Sequence, residues 1–132
     1  MNLIRQKDDV TCGIACAAMV AGVSFDVARR KRRKPITNGI SSREMSRLLS
    51  DLGVKFQRRM HPEIRRTCPH IITVPSLNVV GGMHYVVMFF DGRWNVLDPQ
   101  RGRKGKKFYS RNADDPEGVP LTSFAEVIRI LS

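Results

Sequence analysis

The chain has 132 residues, 42% of them hydrophobic, which is enough for one domain spanning 1–132 with a single buried core and excludes wholesale disorder. The balance of 23 Lys+Arg against 12 Asp+Glu gives a formal charge of +11, which draws a protein toward nucleic acid, anionic membrane surfaces or acidic protein segments without choosing among them. Three cysteines, an odd number in a chain of this size, argue against a disulfide framework and for free thiols in a reducing, cytoplasmic compartment. Delivery as a secreted effector is compatible with the same composition.

The longest apolar run, residues 13–23, follows Asp8 and Asp9 rather than a basic segment, begins after Cys12, and is too short to span a bilayer. It is therefore read as a buried helix and not as a signal peptide, lipoprotein signal or transmembrane segment. Thr11 is placed to cap that helix, which starts near Cys12, packs through Ala15, Ala17, Ala18, Met19 and Val20, and stops at Gly22. A second helix is expected from Ser24, with Phe25, Val27 and Ala28 facing inward, running into the basic cluster at 29–34 and ended by Pro35. The third has the clearest signature: Ser41 and Glu44 form a capping box, and Met45, Leu48, Leu49 and Leu52 follow at helical spacing before Gly53. The period then changes. Residues 54–57, 71–74, 85–90 and 93–97 read as strands between Pro, Gly and Asn punctuation. Residues 101–107 read as a loop, and residues 123–131 as a short closing helix. Helices followed by strands indicate an α+β domain.

Four groups in this chain match the needs of a cysteine hydrolase: a thiol at Cys12, an imidazole at His84, a carboxylate at Asp98 and a side-chain amide at Gln6. The thiol must lose its proton to become a nucleophile, the imidazole must take it, the carboxylate must orient the imidazole, and an amide must hold the oxyanion. A helix N-terminus favours a thiolate at Cys12, whereas Cys16 and Cys68 are expected to be buried and inert. Taken singly, His84 reads as a satisfied strand histidine and Asp98 as a turn-former before Pro99. Their shared geometry reverses that reading. A two-residue turn at Asp91-Gly92 would pair Phe90 with Arg93 and send His84 and Asp98 to opposite faces. A three-residue loop of Phe90, Asp91 and Gly92, with Gly92 left-handed, pairs Phe89 with Arg93 and sets His84 directly opposite Asp98. The catalytic reading thus requires the bulged turn.

Cys12, Cys16, Cys68 and His70 are all possible zinc ligands, but C-x3-C with C-x-H is an unusual ligand spacing and Cys12-Gly13 opens a helix rather than a ligand-presenting knuckle. No metal or other cofactor is called for. His61 and His70, each beside a proline, read as loop or strand-entry residues. Basic clusters at 29–34, 58–59, 65–66 and 101–107 offer a surface for nucleic acid or an acidic partner, although no aromatic residues interleave with them to stack bases.

These residues resemble peptidase family C39, papain-like cysteine peptidases known mainly as leader-processing domains of bacteriocin exporters. The resemblance rests on Gln6 six positions before Cys12, on the Thr-Cys-Gly-x-x-Cys run entering an apolar helix, on His84-Tyr85-Val86-Val87 and on Asp98-Pro99, and it extends to about Gly102. Thr11 stands where the family usually has Asp, and the strong positive charge is atypical of an exporter domain. The resemblance implies a papain-like fold with N-terminal helices packed on an antiparallel sheet. It implies Cys12 as nucleophile, His84 as general base, Asp98 as orienting carboxylate and Gln6 as oxyanion donor, acting on a peptide or isopeptide bond through an acyl-enzyme. Two other readings use the same features: an acyl or peptidyl transferase with this triad, and a catalytically silent basic module that binds nucleic acid or an acidic partner.

Overall fold

The computed structural model describes residues 1–8, 11–32, 39–59, 65–75, 83–99, 108–110, 118–120 and 126–131. Three helices come first, α1 (Cys12–Ala21), α2 (Phe25–Lys31) and α3 (Ser42–Asp51). They are followed by strands β1 (Phe56–Arg59), β2 (His70–Pro75), β3 (Met83–Phe90), β4 (Trp94–Leu97), β5 (Phe108–Ser110), β6 (Gly118–Pro120) and β7 (Glu126–Ile130). Five strands form an antiparallel sheet in the order β1-β7-β2-β3-β4, and β5 pairs with β6 in parallel. The architecture is α+β.

Helix α1 carries no polar stripe, which suits a helix enclosed by its neighbours, and residues Gly13 to Met19 are all buried. A Cβ on Gly13 would stand 2.6 Å from Ile40 Cγ1 and 2.7 Å from Ile40 Cδ1, so only glycine lets the first turn of α1 seat against Ile40. Gly22 closes the helix in the left-handed region, at φ 70°, and donates its N–H to the Ala18 carbonyl.

Ser24 caps α2 by accepting the Val27 N–H at 3.2 Å. Phe25 and Ala28 are buried, but Val27, expected to face inward, is 38% exposed. At 3.6 residues per turn it lies about 200° around the helix from Phe25, on the solvent side. The helix ends at Lys31, and residues 33–38, where the expected continuation and the stop at Pro35 fall, lie outside the described residues. In α3 both bonds of the capping box are present, Glu44 N–H to Ser41 Oγ at 3.2 Å and Ser41 N–H to Glu44 Oε1 at 3.1 Å. Glu44 also pairs with Arg32, tying the end of α2 to the start of α3.

The sheet separates two apolar layers by its pleat. Ile71, Tyr85, Val87, Ile128 and Ile130 pack with the helices, while Ile72, Val74, Val86, Met88 and Val127 form a second cluster with Trp94 and Val96 against it. Residues 126–130, placed in the expected closing helix, instead form β7, the strand between β1 and β2. The reason lies in Val127, Ile128 and Ile130. Their β-branched side chains suit a pleated strand buried on both sides better than a helix, and Val127 joins one cluster while Ile128 and Ile130 join the other. Between them, Arg129 donates to Gln57 Oε1 on β1 at 3.1 Å. Among the described residues no single helix is long and apolar enough to cross a membrane.

His70 enters β2 fully buried, and its Nε2 accepts the Arg65 N–H at 3.2 Å. Burial, reinforced by the positive charge of Arg129, pushes its pKa down to about 4 from an ordinary 6.5. The folded protein therefore holds this ring neutral where the unfolded chain protonates it, so the associated stability is present above pH 6.5 and is lost as pH falls toward 4. Urea unfolding across that window is expected to show a loss on the order of 3 kcal/mol. A His70→Gln variant should lack most of this acid slope, and an unchanged slope would assign it to other groups.

Candidate active site

The register of the β3–β4 hairpin sets the geometry of the site. Phe90 pairs with Trp94, Phe89 with Asn95, Met88 with Val96 and Val87 with Leu97. The connection is thus three residues long, as the catalytic reading requires, but it is Asp91-Gly92-Arg93, one residue later than expected. Gly92 has φ 101°. Asn95 explains the shift, because its Nδ2 donates to Asp91 Oδ1 at 2.7 Å and to the Arg93 carbonyl at 3.1 Å, closing the turn around these residues. The Phe90 and Trp94 rings meet edge to face with centroids 5.4 Å apart. Moving a three-residue loop by one position keeps the alternation of side chains between faces. His84 and Asp98 therefore remain in one row, but they are diagonal neighbours instead of directly opposed.

The diagonal is bridged. His84 Nε2 lies 2.6 Å from Asp98 Oδ1, and both side chains are almost fully enclosed. Cys12 also acts on this ring and raises its pKa. Cys12 is the first residue of α1, which packs on β3. Burial is the largest influence on the imidazole and disfavours its charge. Hydrogen bonds to Asp98 and Cys12, with the negative charge each can carry, outweigh it and push the pKa up to about 9 from 6.5. With Nε2 committed to Asp98, Nδ1 is the ring nitrogen left for the thiol.

Gln6 is buried and tied to the same strand end: its backbone N–H donates to the Pro99 carbonyl at 3.2 Å, one residue beyond Asp98. Its Nε2 donates to the Asp8 carbonyl at 2.6 Å. That bond fixes which way the amide points, since a carbonyl can be met only by the amide nitrogen. One amide N–H remains for another acceptor. Thr11 occupies the cap position of α1, but its hydroxyl makes no capping bond. It accepts instead from the Lys7 and Asp8 N–H groups, at 3.0 Å and 3.2 Å, because two amides of the entering loop reach the same oxygen. The first turn of α1 contains no acidic side chain, so its positive end is not offset beside Cys12.

Cys16, one turn further along, is fully buried, and burial followed by the nearby negative groups Cys12 and Asp98 pushes its thiol pKa well up. It is a core thiol, as expected. Cys68 is only half-buried, contrary to expectation, because it sits in the turn before β2 with its Sγ 4.0 Å from His70 Nε2. Among the described residues no three His, Cys, Asp or Glu side chains cluster to hold a metal ion. Of the described members of the basic clusters, Arg29, Arg30, Lys31, Arg58, Arg65 and Arg66 are exposed, whereas Arg32 is partly buried in its pairing with Glu44. His61, the Arg59 side chain and residues 101–107 lie outside the described part.

Two contributors escaped sequence reasoning. Tyr85, buried on β3, donates its hydroxyl to the Ile40 carbonyl at 3.1 Å, and Gly13 makes room for the Ile40 side chain. Together they seat α1 and the segment before α3 against the strand that carries His84. The Cys-Gly pair was the available signal for Gly13, since close approach is a recurrent reason for glycine in an element.

No curated protein sequence matches the chain. The family model described as the peptidase C39 family matches residues 1–112, and with this α+β architecture the chain belongs to the peptidase C39 family.

Proposed function

We propose that the protein is a cysteine peptidase that cleaves a peptide or isopeptide bond through an acyl-enzyme, with Cys12 as nucleophile and His84 as its acid–base partner. The observation that carries this reading is the buried His84 imidazole, held by Asp98 on one nitrogen and influenced by the Cys12 thiol at a helix N-terminus. In the first step the Cys12 proton passes to His84 Nδ1 and the sulfur attacks the scissile carbonyl carbon, moving an electron pair onto its oxygen. Gln6 Nε2 and the Cys12 backbone N–H then donate to that oxyanion. On collapse the C–N bond breaks, and His84 gives its proton to the departing amine. Water, activated by His84, then attacks the thioester and releases the acid and the free thiol. A pKa of about 9 lets His84 hold the proton taken from Cys12 at neutral pH until the leaving amine receives it.

Protein or peptide is the substrate class that the family implies. The test is a proteome-derived peptide library incubated with wild type and with Cys12→Ala. New termini made by the wild type alone are expected, and identical termini from both would reject the reading. Gln6→Ala should lower kcat by on the order of a hundredfold with the fold retained. An unchanged kcat in steady-state assays on a peptide from that library would remove Gln6 from the mechanism.

A further inference from the structure

We infer that Thr11 is a positioning residue for the oxyanion donor: its hydroxyl holds the loop of residues 6–8 in the shape that aims the Gln6 amide. This rests on the peptidase reading above and adds to it a residue that touches no reacting atom.

Thr11 is 1% exposed, immediately before the nucleophile, and its hydroxyl is used to capacity. It accepts from the Lys7 and Asp8 N–H groups and donates to the Asp8 carbonyl at 3.3 Å. A hydroxyl has one donor and two acceptor sites, so all three are occupied. The Asp8 carbonyl that it holds is also the one that receives Gln6 Nε2 at 2.6 Å. The Gln6 main chain is fixed independently by its bond to the Pro99 carbonyl. Side-chain direction at Gln6 therefore depends on where the Asp8 carbonyl stands, and that position depends on Thr11. A cap residue would ordinarily spend its oxygen on the first turn of its own helix. Turning it toward the loop leaves the N–H groups beside Cys12 to the site and gives the loop a brace.

Two small reagents separate this role from any effect on the nucleophile. Iodoacetamide alkylates a thiolate by displacement of iodide at a saturated carbon, and no oxyanion forms. p-Nitrophenyl acetate acetylates it through a tetrahedral oxyanion: the S–C bond forms, the bond to the phenolate oxygen breaks, and p-nitrophenolate leaves. Thr11→Val, which keeps the shape and removes the hydroxyl, should slow the p-nitrophenolate burst about tenfold and leave iodoacetamide alkylation of Cys12 within about twofold of wild type. Thr11→Ser should restore the burst. The double variant Thr11→Val with Gln6→Ala should be no slower than Gln6→Ala alone, because both changes disable the same amide. Thr11→Ala enters the same cycle if the valine variant does not fold.

A wild-type burst in Thr11→Val, fully additive losses in the double variant, or slowed alkylation in Thr11→Val would each overturn the proposal. Failure of wild-type Cys12 to be alkylated or acetylated would overturn the peptidase reading with it. Normal wild-type reactivity with no Thr11 effect would remove only the positioning role.

Discussion

His84→Ala is expected to lower kcat/KM for a peptide substrate by about four orders of magnitude, the loss typical when the proton carrier of a nucleophilic triad is removed. In the proposed mechanism the ring performs two tasks, taking the Cys12 proton and returning one to the leaving amine, and among the described residues no second imidazole stands in its place. His70 is the only other described histidine, and it sits at the start of β2, opposite Met88 rather than His84, with its Nε2 engaged by the Arg65 N–H. The effect should appear in kcat. Unchanged melting on His84→Ala would show that the loss is chemical, and retention of more than a tenth of wild-type activity would exclude His84 as the proton carrier.

Asp98→Ala is expected to cost about a hundredfold to ten-thousandfold in kcat/KM and, more diagnostically, to move the alkaline limb of the pH profile. In the wild type that limb should lie near pH 9, where His84 gives up its proton. Asp98 contributes a hydrogen bond and a negative charge, both of which raise the His84 pKa, while burial lowers it. With the carboxylate gone burial gains relative weight, so the limb shifts to lower pH. Asp98→Asn keeps an acceptor for Nε2–H without the charge, so it should shift the limb in the same direction with a smaller loss of rate. If Asp98 only ended β4, activity would fall with misfolding and the limb of the remaining activity would stay near pH 9.

Much of the site was legible because its pieces are local. Ser41 and Glu44 announce α3 through a bond pair that needs no tertiary context, and Gly22 ends α1 for the same reason. The same-face requirement for His84 and Asp98 also followed from loop-length parity, although parity alone did not select which three residues turn. That choice was made by Asn95, whose side chain closes the loop from the strand side. The failures are tertiary. Residues 126–130 became a strand because the chain returns to fill a gap between β1 and β2, an event that no window of local sequence contains. Thr11 carries the residue type of a helix cap, but two amides of the entering loop, those of Lys7 and Asp8, compete for its oxygen and win. Val27 was misjudged by composition, where the 100° step of the helix would have placed it outward.

The central claim is that Cys12 alone among the three thiols is activated, and that His84 activates it. Brief iodoacetamide treatment at pH 7 followed by peptide mapping measures this directly, with wild type and His84→Ala compared side by side. The account predicts that Cys12 is labelled first in the wild type, that half-buried Cys68 follows slowly, that enclosed Cys16 stays unlabelled, and that His84→Ala slows Cys12 at least about tenfold. Preferential labelling of Cys68, or a Cys12 rate unaffected by His84→Ala, would contradict it.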